Sequence, residues 1–345
     1  MLFFKNDYGQ GCIPEILELL SQVNDLNING YGMDPYCEKA KQLIQSKMPD
    51  TPVDVHFITG GTLTNETMIK HVLRSFQGVI SADTGHINVH EVGAVEATGH
   101  KVISIKNANG KLKAQDIKNC FEEHMLTYEH LVYPKLVYIS NATELGTVYT
   151  RKELEEIRAV CDELGLYLMM DGARIGCALM SKGIEYTLND IAKWCDLFYI
   201  GGTKNGALMG EAVVISNPEL KPFFRFNLKQ TGAMMAKGWL LGIQFIGLFE
   251  NDAFYECAKH SNLLAAKIQD YLVELKYPLF MRSDTNQIFP VVTKKQLDYL
   301  MTEVDFEVWE DRGDSIVIRF VTSFHTTDEE VQHLCQKLKV AANIE

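Results

Sequence analysis

The chain has 345 residues, 46% of them hydrophobic and 23% charged, an ordinary globular composition at a length suited to two units sharing an interface. With 33 Lys and Arg against 45 Asp and Glu, the net charge is −12; such a surface repels phosphate backbones and anionic lipid, which argues against nucleic-acid or membrane partners. The opening MLFFKNDYGQ has no basic stretch followed by an apolar run, and Ala236-Lys237-Gly238 interrupts the most apolar segment, so neither a secretory signal nor a membrane span is expected. The eight cysteines form no CxxC pair and have no regular spacing, the pattern of reduced thiols in a cytoplasmic protein.

From residue 54 the chain alternates short β-rich runs with helical segments. The runs are Asp54–Ile58, Gly78–Ala82, Val102–Ile105, Leu136–Ser140, Leu166–Met170, Leu197–Ile200 and Ala212–Ile215. Helical patterns cover 64–76, 88–98, 114–123 and 151–164, the last opened by Thr150 and Glu153 as a capping box. The strand-like runs are apolar on both faces, as strands covered by helices on each side must be. Seven of them predict an α/β fold with a mostly parallel seven-stranded sheet. Beyond about residue 232 the character changes. A long helical stretch runs from Ala233 towards Leu275, followed by a smaller α+β pattern. There Ile316, Ile318 and Phe320 alternate with Val317, Arg319 and Val321, and Thr327 with Glu330 caps a last helix. The expected division is a large cofactor-binding domain over 1–248, with an N-terminal arm, and a small C-terminal α+β domain over 249–345.

Three segments fall at the C-terminal ends of strands, where a parallel sheet places its functional loops. Thr59-Gly60-Gly61-Thr62-Leu63-Thr64-Asn65 joins a strand to a helix; its glycines and first-turn amides suit a phosphate, although the same residues make a plain turn. Met170-Asp171-Gly172-Ala173-Arg174 ends an apolar strand with a carboxylate able to pair with a protonated ring nitrogen, or merely to cap the next helix. Gly201-Gly202-Thr203-Lys204-Asn205 places a lysine in a Gly/Thr loop after another apolar strand. Its amine could condense with an aldehyde cofactor, partial burial lowering its pKa for the task, or it could snorkel out of a turn. His86 and His90 stand at helical spacing, but the stretch has no clear third ligand, so no metal site is expected.

In FITGGTLTN, DTGHINVHEVGAVEATGHKV, DGARI and FYIGGTKNGALMGEA the chain resembles the threonine aldolase and β-eliminating lyase family of pyridoxal-phosphate-dependent enzymes, along essentially its whole length. The resemblance implies an aspartate aminotransferase-like fold of type I and the cofactor pyridoxal 5'-phosphate. It implies Gly61, Thr62, Asn65 and Thr203 at the cofactor phosphate, His86 stacked on the pyridine ring, Asp171 at the ring nitrogen and Ala173 against the opposite face. Lys204 would carry the cofactor, with His86 and Asp171 completing the catalytic set. Arg174 would lie near cofactor and substrate, Arg319 would clamp the substrate carboxylate, and Asn6 would stand where many relatives have serine. The implied reaction is cleavage of the Cα–Cβ bond of a small amino-acid substrate with a β-hydroxyl, threonine or allo-threonine giving glycine and acetaldehyde; β-elimination or transamination is the alternative. The implied assembly is a homodimer or homotetramer. Many relatives carry a histidine in the loop after the fourth strand, where this chain reads Asn141-Ala142-Thr143-Glu144-Leu145-Gly146-Thr147.

Overall fold

The computed structural model describes residues 1–344. Its strands are β1 (Leu2–Phe3), β2 (Asp54–Ile58), β3 (Gln77–Ala82), β4 (Lys101–Ile105), β5 (Tyr133–Ser140), β6 (Tyr167–Asp171), β7 (Leu197–Gly201), β8 (Glu211–Ile215), β9 (Leu279–Met281), β10 (Gln287–Val292), β11 (Val304–Asp305), β12 (Glu307–Asp311) and β13 (Ile316–Val321). Seven form one sheet in the order β2-β8-β7-β6-β5-β3-β4. Its pairings are parallel except those of β8, which is antiparallel to both β7 and β2. The expected mostly parallel seven-stranded sheet is therefore present. Because β8 runs against its neighbours, β2 regains the common direction, and the C-terminal ends of β2, β3, β5, β6 and β7 lie along one edge.

Alternate strand residues supply two separate cores, as the two-residue period of a strand requires. Ile80, Val137, Leu168, Phe198 and Val214 pack on one face with the helices Arg151–Leu164 and Trp239–Phe249. Val79, Leu136, Met169, Tyr199 and Val213 pack on the other against Met68 and Ile69 of the helix Gly61–Val72. Helix Arg151–Leu164 begins on the capping box read from Thr150 and Glu153 and ends on Gly165 at φ 64°, a left-handed stop that glycine tolerates.

A second, antiparallel sheet has the order β12-β13-β10-β9, and Ile316, Ile318 and Phe320 line its core with Leu264, Ile268, Leu334 and Leu338. The opening residues join this part of the molecule. β1 pairs in parallel with β11, the Phe4 N–H donates to Asp305 O at 2.9 Å, and Phe4 O accepts from Val321 N–H at 2.8 Å.

Two helical expectations change. The pattern over 88–98 becomes two four-residue helices, His86–Val89 and Ala94–Ala97, because Val92 and Gly93 adopt positive φ. The stretch from Ala233 to Leu275 holds two helices, Trp239–Phe249 and Ala253–Glu274, separated at Asp252, whose φ is 57°. Periodicity cannot register one left-handed residue between two apolar runs.

Helix Trp239–Phe249 lies so close to helix Pro35–Gln45 that a Cβ on Gly242 would stand 2.6 Å from Cys37 N and 2.8 Å from its Cα. The backbone of a packed helix has little room to yield. Gly242→Ala is expected to lower unfolding free energy by about 1–3 kcal/mol through forced separation of the two helices. A denaturant titration checks this, and an unchanged midpoint would show that the interface can open without cost.

Candidate active site

Five strand ends and the N-terminal arm enclose a cavity of about 260 Å³. Its walls include Gly60, Gly61 and Thr62 after β2, His86 after β3, Glu144 after β5, Asp171 to Arg174 at β6, and Thr203 and Lys204 after β7. A second chamber, also of about 260 Å³, is lined by His90, Glu307, Trp309 and Arg319, and shares Tyr8, His86, Glu144, Arg174 and Lys204 with the first. Residues read from separate segments of the sequence thus meet at one place. Among the described residues, no group of three His, Cys, Asp or Glu side chains is placed to hold a metal ion.

Asp171 is 4% exposed and anchored by four donors. Asn65 Nδ2 at 3.0 Å and Tyr138 OH at 2.6 Å donate to Oδ2; Ala173 N–H at 3.0 Å and Tyr199 OH at 2.6 Å donate to Oδ1. Burial alone raises a carboxyl's pKa, but nearby His86 and the bonds from Tyr138, Tyr199 and Asn65 outweigh it, and the net shift is downward. The result is a fixed anion at the cavity wall.

Lys204 is held by a tight link between β7 and β8, in which the Gly202 and Thr203 N–H groups both donate to Gly210 O at 2.9 and 3.2 Å. Gly201 has no room for a side chain, since its Cβ would lie 2.5 Å from Ala173 O; that contact presses the Asp171 loop against the lysine loop. Burial and the charge of Arg174 push the Lys204 pKa down, against the pull of Asp7, Asp171 and Glu211. Such an amine is more readily neutral and nucleophilic than a surface lysine.

Helix Gly61–Val72 opens after Gly60 without a side-chain cap, so its first-turn amides face the cavity free of a competing acceptor, as an anion site needs. Thr203 Oγ1 lines the same end and accepts from Gly210 N–H at 3.0 Å. His86 Nδ1 is 2.7 Å from Glu91 Oε1, which fixes the imidazole by a buried carboxylate. Asn65, expected at a phosphate, is fully buried, and its Nδ2 bridges Glu91 Oε1 and Asp171 Oδ2 at 2.9 and 3.0 Å. Its amide supports the two carboxylates rather than lining the cavity. Asn6 bends its own Oδ1 back to Tyr8 N–H at 3.1 Å, and the neighbouring Tyr8 reaches the wall instead.

Both arginines expected near the substrate have carboxylate partners within the chain. Arg174 forms a two-pronged pair with Asp7, Nε to Oδ2 at 2.7 Å and Nη2 to Oδ1 at 3.1 Å. Arg319 lies over the Trp309 ring at 5.0 Å, donates through Nη1 to Gln287 Oε1 at 3.1 Å, and pairs through Nη2 with Glu307, its cross-strand neighbour. Glu307 supplies the countercharge that strand alternation could not reveal, while the Arg319 Nε is buried with no partner among the described residues. Sequence reasoning also missed Tyr138, Tyr199, Asp7, Glu91 and Glu211. A glutamate opening the otherwise apolar strand EAVVI was a visible signal for the last.

The architecture defines an α/β enzyme of the pyridoxal-phosphate-dependent transferase-like class, fold type I. Thermus thermophilus aspartate aminotransferase shares this fold, with a TM-score of 0.74 at 12% identity, covering 99% of this chain and 91% of that one. A family model described as Beta-eliminating lyase matches residues 21–295, and the chain belongs to that family. It is 31% identical over 346 residues to a low specificity L-threonine aldolase of Pseudomonas sp. (strain NCIMB 10558), covering 97% of this chain and 96% of the relative. It is 44% identical to a Leishmania major threonine aldolase structure, with a TM-score of 0.97 and coverage of 99% and 100%.

Glu211 gives a test independent of turnover. Its side chain is buried, its Oε2 accepts from Gly202 N–H at 3.2 Å, and burial lifts its pKa from 4.5 to about 8. Unfolded, it ionises near 4.5, so between these values folding takes up a proton and stability falls as pH rises, levelling above about 8. Glu211→Gln removes that proton uptake. The cofactor-free variant should gain stability relative to the parent from pH 5 to pH 8.5 in paired denaturant titrations; a difference that stays flat would show that Glu211 is already ionised in the fold.

Proposed function

We propose that this chain is a low-specificity threonine aldolase, which uses pyridoxal 5'-phosphate to cleave threonine and other β-hydroxy amino acids into glycine and an aldehyde. The observation that carries the reading is a half-buried Lys204 of lowered pKa lining one cavity with the buried Asp171 carboxylate, whose pKa is also lowered. The full-length similarity to threonine aldolases supports the same reading.

The donor set fits the cofactor. Gly61 and Thr62 at an uncapped helix start, with Thr203, would hold its phosphate. Lys204 would bind its aldehyde carbon covalently, His86 and Ala173 would flank the ring, and Asp171 would face the ring nitrogen. A ring N–H arriving there would share an Asp171 oxygen with one of its four present donors, and the carboxylate would keep that nitrogen protonated. Bound in this way, the cofactor would supply the conjugated ring that accepts the electron pair left at Cα. Asn65 and Glu91 would act at one remove, by orienting Asp171 and His86. Arg319, through its free Nε, and Arg174, beside Lys204, would hold the substrate carboxylate.

β-Elimination is a second reading, favoured by the description of the family; glycine with aldehyde as products separates it from keto-acid release. We further infer a homodimer or pair of dimers, because Val92, Phe223 and Phe226 leave apolar side chains at least 75% exposed, and a cytoplasmic location, which suits the eight free cysteines.

Reduction of the loaded enzyme with borohydride should place the cofactor on the peptide containing Lys204, and Lys204→Ala should abolish release of acetaldehyde from threonine. A label on another lysine would reject the site. Arg319→Lys keeps the charge and loses the planar fork, so KM should rise about thirtyfold or more with the cofactor absorbance unchanged. An unaltered KM for threonine would move the carboxylate contact to Arg174.

A further inference from the structure

Glu144 stands out among the cavity residues. It is 8% exposed, and its Oε1 is fully engaged, accepting Ser140 Oγ at 2.6 Å and the His86 N–H at 2.9 Å. Its Oε2 is buried with no hydrogen-bond partner among the described residues. Leaving such an oxygen unmatched costs about 1–3 kcal/mol, so a fold that fixes one oxygen with two donors and leaves the other bare has a vacant hydrogen-bonding position. The residue that carries it belongs to the active-site wall. Glu144 lines both chambers, as do Lys204, His86, Tyr8 and Arg174. A substrate whose nitrogen took the place of the Lys204 amine would have its Cα and Cβ near this junction.

We propose that Glu144 is the catalytic base that takes the proton from the substrate's β-hydroxyl. The inference rests on the proposed aldolase function and assigns the step that reading leaves without a residue. Oε2 accepts the hydroxyl proton, and the O–H electron pair becomes the second bond of the aldehyde C=O. The Cα–Cβ bond breaks and its pair is left at Cα, where a bound pyridoxal ring would accept it. Cα then takes a proton from solvent, the Lys204 amine would displace the product nitrogen to release glycine, Glu144 returns its proton to solvent, and the reaction has no net oxidation. Two features suit the side chain to this. The Ser140 and His86 donors fix the carboxyl, so that Oε2 keeps one orientation. Burial and the neighbouring Asp171 raise its pKa, against the opposing effects of Ser140 and His86, and a raised carboxyl is a stronger base than a free one. His86 is the other candidate: Glu91 holds its Nδ1 and leaves its Nε2 to act, and the paired reactions below test Glu144 itself.

The test uses the cofactor-loaded enzyme and two reactions. Aldehyde release from threonine needs the hydroxyl proton removed. Exchange of the glycine α-proton in D₂O, followed by NMR, uses the same cofactor and Lys204 but has no hydroxyl. Glu144→Gln preserves an Oε1 acceptor for Ser140 and His86 and removes the base. Aldehyde release should fall by about 10²-fold or more, while glycine exchange stays within about threefold of the parent. Glu144→Asp, which keeps a carboxyl but withdraws it, should show the same split to a smaller degree and serves if the glutamine variant does not fold. Cleavage falling less than about tenfold, or both reactions falling together, would overturn the assignment of Glu144 alone. A parent enzyme that exchanges the glycine proton yet releases no aldehyde from any β-hydroxy amino acid would overturn the aldolase function, and the role of Glu144 with it.

Discussion

The site is organised around a buried negative charge at the end of the central strand β6. An isolated ionised carboxylate inside a protein is expensive, and here four donors make it tolerable. They come from different parts of the chain: Asn65 from the helix after β2, Tyr138 from β5, Tyr199 from β7 and the backbone of Ala173. Satisfying Asp171 therefore fixes how three strands and a helix meet at the catalytic edge. The two tyrosines in turn have pKa values well above the ordinary phenol range, through burial and the charge they solvate, so they are protonated donors at neutral pH.

A consistent charge pattern surrounds this anion. Asp7 and Asp171 are held ionised, while Glu144 and Glu211 are pushed towards their neutral forms. All four are buried, and what separates them is the number and kind of their donors. Asp7 meets a guanidinium fork and the Asn286 amide; Asp171 meets four hydrogen-bond donors. Glu211 has a weak backbone bond and the Thr203 hydroxyl, and one oxygen of Glu144 has no partner among the described residues. Carboxyl groups in one small volume can thus serve as fixed anions and as proton carriers, because environment and not residue type sets the proton affinity.

Much of this could be read from the chain. Apolar runs of four or five residues marked the seven strands because both faces of that sheet are buried, and the glycine-rich loops marked the strand ends at which Gly61, Asp171 and Lys204 converge. Local patterns could not supply partners distant in sequence. Asp7 lies 167 residues from Arg174, and the Glu307–Arg319 pair depends on a hairpin register that includes an irregularity between Val308 and Glu310. Neither partner could be read from the sequence. Asn65 looked like a phosphate ligand because it lies in the first turns of the right helix, but helical rotation carries its amide inward, onto Glu91 and Asp171. Tyr138 and Tyr199 sat inside apolar runs, where an aromatic residue signals only a core.

The N-terminal arm ties the two sheets together mechanically. Through Phe4 it is hydrogen-bonded to β11 and β13 of the smaller part, and three residues later Asp7 grips Arg174 beside the larger sheet. So short a tether cannot stretch: if the smaller sheet tilts, Tyr8 and the Asp7–Arg174 pair must tilt with it or break. Arg319 stands on β13, one of the strands the arm is bonded to, so the outer chamber's cation and the wall between the chambers are geared to a single motion.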